Sequence, residues 1–126
     1  MRPIKFRVWE KMNKMMLKID SVDWKDGHPY FTDDIYIPMQ YTGLKDKNGN
    51  GKEIYEGDIV EFEEPQMESG MRIAKIIFED GCFLADVLYY DANFKDNNSE
   101  SEKYSLSIIN SLEIIGNIME NKELLK

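Results

Sequence analysis

The stretch MRIAKIIFEDGCFLADVLYY, residues 71–90, narrows the fold more than any other part of the sequence. Two runs rich in β-branched and aromatic residues flank Asp80-Gly81, a pair suited to the positive φ angles of a tight hairpin turn. Other strands are legible around this hairpin. KFRVW (5–9) alternates, with Phe6 and Val8 on one side and Lys5, Arg7 and Trp9 on the other, the period of a half-exposed strand. MMLKIDSVDW (15–24) resumes the alternation through Met15, Leu17 and Ile19, so EKMNK becomes the turn of a first hairpin. IYIPMQYTG (35–43) is β-rich, and Pro38, lacking an amide donor, predicts an edge strand or a bend. EGDIVEF (56–62) reads as a turn and a strand, and YSLSII (104–109) and LEIIGNI (112–118) as two more short strands. MENKELLK (119–126) reads as one or two turns of helix. The polar stretches KDGHPYFTDD (25–34), EEPQMESG (63–70) and DANFKDNNSESEK (91–103) are expected to be loops. Short strands at close spacing, with no internal repeat and no amphipathic helix, predict a mainly β barrel or sandwich-like fold. By analogy, the order of turn, strand, long hairpin and final strand suits a small barrel of the Src-homology-3 kind.

The totals set the class. The 126 residues suit a single domain, residues 1–126, and 42% hydrophobic with 12% aromatic residues is the composition of a folded globule. No apolar run approaches the roughly 18–20 residues that cross a bilayer, so no membrane is expected as a partner. The opening MRPIKFRVWEKMNK lacks an apolar core of the secretory kind. Cys82 is the single cysteine and excludes an internal disulfide. A cytoplasmic protein is the expectation. Charge is uneven. Residues 1–25 carry seven basic and three acidic side chains, a net +4, which leaves −12 of the total −8 for the rest of the chain. An acidic body repels phosphate, so general nucleic-acid binding is disfavoured. The basic end still leaves two readings open. It packs beside an acidic surface of this chain or a second copy, or it forms a nucleic-acid face with Arg7, Trp9, Lys11 and Lys14 as phosphate and stacking contacts.

Catalytic constellations are missing from the sequence. One histidine, His28, and one cysteine cannot assemble a zinc site. His28 lies between Gly27 and Pro29, with nothing to place it near Cys82 as a base. No phosphate-cradling glycine loop is present. Adjacent carboxylates such as Asp33-Asp34, Glu63-Glu64 and Glu79-Asp80 point to opposite faces of a strand and make poor acid–base pairs. The expectation is a non-enzyme without a cofactor.

DKNGNGKEIYEG (46–57) comes nearest to a site. A calcium loop places oxygen ligands at positions 1, 3 and 5, glycine at 6 and a bidentate glutamate at 12. Asp46, Asn48, Asn50 and Gly51 fall correctly, but position 12 is Gly57 and Glu56 comes one residue early. The flanks are β-like, and Asn-Gly pairs are strong turn formers. A turn is the better reading. The calcium alternative would use Asp46, Asn48, Asn50 and Glu56.

MQYTGLKD followed by KEIYEGDIVEF resembles the YopX family of phage and prophage proteins. The start, IKFRVWEKMNKMM, is similar to that family's basic opening, and LEIIGNIMENKELL (112–125) to its closing strand and short helix. The resemblance spans both ends and the middle of the chain. Two departures stand out. KNGNGK carries one Asn-Gly step more than the family's turn, which creates the calcium-like spacing, and Lys122 stands where the family often has proline. The resemblance implies a mainly β pseudobarrel and a mobile-element setting in the host cytoplasm. It brings no activity, so no catalytic residue is carried over. A phage or prophage accessory protein that binds another protein or itself is the favoured expectation. Its candidate surface is Tyr41, Thr42, Leu44, Tyr55 and Asp58, with packing of the tyrosines on the barrel as the competing reading.

Overall fold

The computed structural model describes residues 5–19, 23–25, 28–30, 35–46, 51–63, 71–90, 102–109 and 112–125. The described residues form β1 (Phe6–Glu10), β2 (Met15–Ile19), β3 (Asp23–Lys25), β4 (His28–Tyr30), β5 (Tyr36–Lys45) and β6 (Glu53–Tyr55). They continue through β7 (Asp58–Glu63), β8 (Met71–Glu79), β9 (Cys82–Tyr90), β10 (Lys103–Ser105) and β11 (Glu113–Asn117). Single 3-10 turns cover Leu106–Ile108 and Lys122–Leu125. Every described pairing is antiparallel. One sheet has the order β2-β1-β5-β6, a second β10-β9-β8-β7-β11, and β3 pairs with β4 alone. This is a mainly β architecture that fits a small pseudobarrel.

The long hairpin forms as its sequence predicts. Asp80 and Gly81 take φ of 52° and 80°, and Glu79 faces Cys82 across the turn. The second sheet lays one face on the main core: Val60 and Phe62 from β7, Ala74 and Ile76 from β8, and Ala85 from β9. Ile54 of the first sheet joins them, with Leu106, Ile109 and Leu112 closing the far side. Phe62 meets Tyr104 edge to face at 5.7 Å. β7 lies between β8 and β11, and side chains on both its faces are buried, Val60 and Phe62 on one and Ile59 on the other.

Four expectations are revised. YSLSII is a strand only to Ser105. The Ser105 hydroxyl accepts the Ser107 amide, and a 3-10 turn of period three then aims both Leu106 and Ile109 into the core. The KDGHPYFTDD loop holds a strand, since Trp24 faces Pro29 in the β3–β4 ribbon. In a two-stranded ribbon each strand has an open side on which a proline is tolerated. β5 is an interior strand, yet Pro38 sits at a local edge. Tyr41 N donates to Lys5 O, so alternate residues Met39 and Ile37 face β1 while Pro38 points its missing donor to the side where β6 has ended. The fourth revision is β1, which is not half-exposed: Phe6, Arg7, Val8 and Glu10 are all buried. The C-terminal helix is a single 3-10 turn. No helix among the described residues is long and apolar enough to cross a membrane.

Candidate functional site

The QYTGL…EIYEGD block is the crossing point between the two sheets. β6 belongs to the first and β7 to the second, so the chain changes sheet at Glu56-Gly57. Gly57 has a φ of 89°. Its amide donates to Ile76 O at 2.8 Å and its carbonyl accepts from Ile118 N at 2.9 Å. A Cβ there would stand 3.0 Å from Met39 Sδ and 3.5 Å from Ile118 Cγ1. Only glycine takes this φ without strain and leaves room for the methionine.

Asp58, immediately after the crossing, is 2% exposed. Its Oδ1 accepts from Arg7 Nη2 at 2.7 Å and its Oδ2 from the Tyr55 amide at 2.8 Å. Arg7 Nη2 also reaches Glu56 O at 3.4 Å, and its guanidinium lies 4.8 Å from the Tyr55 ring centre. Arg7 Nε is buried without an acceptor among the described residues; the aromatic face gives the cation an electrostatic partner in its place. Tyr55 packs on Tyr41 with centroids 5.5 Å apart, and its hydroxyl donates to Glu53 Oε1 at 3.1 Å. Lys5 Nζ completes the chain on Glu53 Oε2 at 2.6 Å and stands 5.4 Å from the Tyr41 ring.

This network sets the local titration. Burial pushes the Asp58 carboxyl above its ordinary value, and the opposing pull of Arg7 does not cancel it. Burial, with the charge of Glu53, pushes the Tyr55 hydroxyl up to about 12. The hydrogen bond from Lys5 holds Glu53 below its ordinary value.

Of the five residues expected on a partner surface, four are therefore interior. Tyr41, Thr42, Tyr55 and Asp58 are buried, and only Leu44 is exposed, at 37%. Thr42 Oγ1 donates to Ile54 O and accepts the Leu44 amide, pinning β5 to β6 where the ladder shifts register.

Asp46 is structural in the same sense. Its Oδ1 accepts the Lys52 amide at 3.1 Å and its Oδ2 the Ile114 amide at 3.3 Å. Lys52 leads into β6, the edge of the first sheet, and Ile114 lies on β11, the edge of the second. One buried carboxylate thus bridges two sheet edges and caps an amide of β11. Glu56 Oε1 accepts the Gln40 amide at 3.3 Å. Asn48 and Asn50 lie outside the described residues, among which no cluster of three metal-binding side chains occurs.

The residues expected on a nucleic-acid face part company. Arg7 turns inward because the Asp58 carboxylate is the nearest counter-charge in a buried setting. Trp9, Lys11 and Lys14 stay together in a groove of about 540 Å³, whose other walls are Ile37, Met119, Glu120, Lys122 and Glu123. A second groove of about 440 Å³ opens over the Arg7–Asp58 pair, between Met16 and Lys18 of β2 and Lys52, Glu53 and Ile114. Sequence reasoning missed Lys5 and Glu53 as members of the network and β2 as a groove wall. The one local signal for the network was a charged residue, Asp58, wedged between the apolar runs of EIY and IVEF.

Residues 23–126 match the YopX protein family. The chain belongs to the YopX family. Among solved structures, protein EF1440 from Enterococcus faecalis is similar at 28% identity and a TM-score of 0.59, with all of both chains covered. Protein yopX from Bacillus subtilis shares the fold at a TM-score of 0.62 and 20% identity, again over 100% of each chain. No curated protein matches the sequence. The descriptions of this YopX-family chain's relatives name no reaction and no ligand.

Proposed function

We propose that this chain is a non-enzymatic phage or prophage accessory protein of the host cytoplasm that works by binding another protein, through the β1–β2 hairpin. The mobile-element setting rests on the resemblance set out above. The observation that carries the binding reading is the share of exposed apolar side chains on one hairpin. Three of the eight large hydrophobics exposed among the described residues, Met12, Met15 and Leu17, lie on the turn and β2, at 75%, 51% and 37%. Flexible methionines on an exposed strand suit contact with another protein. By contrast, Thr42, Asp46, Glu56 and Asp58 are consumed in holding strands and sheets together, which speaks against their serving as reactive groups.

The experiment is capture from induced host cells, with the folded parent chain and a folded Leu17→Lys variant as baits. A partner held by the parent and lost by the variant is the expected result; the same proteins on both baits overturn the proposal. The nucleic-acid reading is weaker, because Arg7 is committed to Asp58 and because Glu120 and Glu123 share the groove of Trp9, Lys11 and Lys14. Labelled single strands at low salt, where phosphate contacts are strongest, are expected to show no complex.

A further inference from the structure

We propose that β2 is a strand-addition edge whose occupant is an extended segment of a partner protein that alternates acidic and apolar residues. This rests on the protein-binding reading above and specifies its mode and chemistry.

Sheet edges offer unpaired backbone groups that another strand can complete. Four strands end the two main sheets: β2, β6, β10 and β11. β6 has three residues and turns straight into β7, while β10 has three and passes into a 3-10 turn. β11 carries a register shift between Ile114 and Gly116, and the Asp46 carboxylate covers its Ile114 amide. Each of these is shortened, kinked or capped. β2 is none of these: five residues pair in unbroken register with β1, and its far side has no pairing among the described residues.

The two faces of β2 then specify the occupant. Side chains alternate across a strand, so an added strand meets β2 with two different sets of neighbours. Met15, Leu17 and Ile19 share the face of Glu10, Val8 and Phe6, and Met15 and Leu17 are exposed there. An incoming strand meets apolar residues on this side. Met16 and Lys18 share the other face and wall the groove that also holds Lys52. Within that groove Asp58 already engages Arg7 and Glu53 already engages Lys5 at 2.6 Å while also feeling the charge of Lys18, so the exposed Lys18 and Lys52 leave an excess of positive charge there. Lys11 and Lys14 add exposed positive charge at the turn. A strand on this edge completes the lysines with carboxylates. A second copy of β2 would instead bring basic hairpins together between two bodies of the same net charge, which the electrostatics oppose.

The probe is a synthetic peptide alternating glutamate and valine over the length of β2, with a lysine–valine peptide as control. Amide hydrogen exchange is read on residues 15–19 of the parent chain and of a Lys18→Glu, Lys52→Glu double variant. The glutamate peptide is expected to protect the β2 amides, to lose affinity as salt rises, and to bind the double variant about tenfold more weakly. The lysine peptide is expected to give no protection. Equal protection by both peptides, or none by either at low salt, overturns the proposal. So does protection of β2 that rises with protein concentration alone, which would identify a second copy as the occupant. If capture still discriminates Leu17→Lys while the peptides fail, the hairpin binds a partner but not by acidic strand addition. If capture does not discriminate, the binding reading itself has failed.

Discussion

Arg7 and Asp58 lie 51 positions apart and meet in a site nearly closed to water. Removing one member of a buried pair leaves the other charge uncompensated, which costs about 3–5 kcal/mol, whereas replacing both by apolar residues is often neutral or better. Asp58→Ala is therefore expected to lower the denaturation midpoint strongly, and Arg7→Met with Asp58→Leu to recover only part of the loss, because the buried Tyr55 amide still lacks its acceptor, read by urea unfolding. Tyr55 carries a pH signature. Its folded value of about 12 stands above the ordinary value of 10.0. The folded chain holds the proton after the unfolded chain has released it. The stability that Tyr55 contributes is thus whole below pH 10 and is lost as pH rises toward about 12, of order 2 kcal/mol. Tyr55→Phe is expected to flatten this alkaline limb, with phenolate absorbance reporting the missing late-titrating tyrosine. Neither role was legible locally. Arg7 sits in a strand that alternates like a half-exposed one, and only contact with β6 and β7 turns it inward.

At the scale of elements, the hairpin of β8 and β9 and the turn at Glu56-Gly57 were readable because their information is local. Asp-Gly between β-rich runs and Gly57 before DIVEF declare backbone conformations that few other residues adopt. Gly57→Ala is expected to be much more damaging than an ordinary strand substitution. It combines an unfavourable φ, about 1–2 kcal/mol, with the approach to Met39 Sδ at 3.0 Å. Because Met39 is buried, Met39→Ala destabilises on its own; the contact should show as a Gly57→Ala, Met39→Ala double variant whose loss of thermal midpoint is smaller than the sum of the two single losses. The elements that departed from expectation did so through tertiary demand. Leu106 and Ile109 both reach the core only if the chain turns after Ser105, and Pro38 is accepted because β6 covers just the second half of β5.

Over the whole molecule, the two sheets are joined covalently at Glu56-Gly57 and electrostatically at Arg7–Asp58. At Asp46 a third tie spans the edges β6 and β11. Asp46→Ala removes the acceptor of two part-buried amides, and about 1 kcal/mol of stability is expected to go with it. Faster exchange of the Ile114 and Lys52 amides should mark the opened seam. Because both Asp46 oxygens are already engaged, millimolar calcium is expected to leave the thermal midpoint where EDTA sets it. A rise of several degrees would show that calcium displaces those amides.

What the sequence by itself determined is the longer strands, the Asp80-Gly81 turn and the family, since these follow from periodicity, from φ-permissive residues and from contiguous motifs. Tertiary structure alone decided the fate of the side chains. Tyr41, Thr42, Tyr55 and Asp58, legible either as a partner surface or as barrel packing, became a seam; Asp46, legible as part of a turn with calcium as the alternative, became a tie between sheet edges; and β2, legible as a hairpin strand, became an edge with no outer partner among the described residues. The physical reason is common to all three. Burial, ion pairing and edge status depend on which distant strand comes to lie alongside, and a linear pattern specifies which way a side chain points without specifying what it meets.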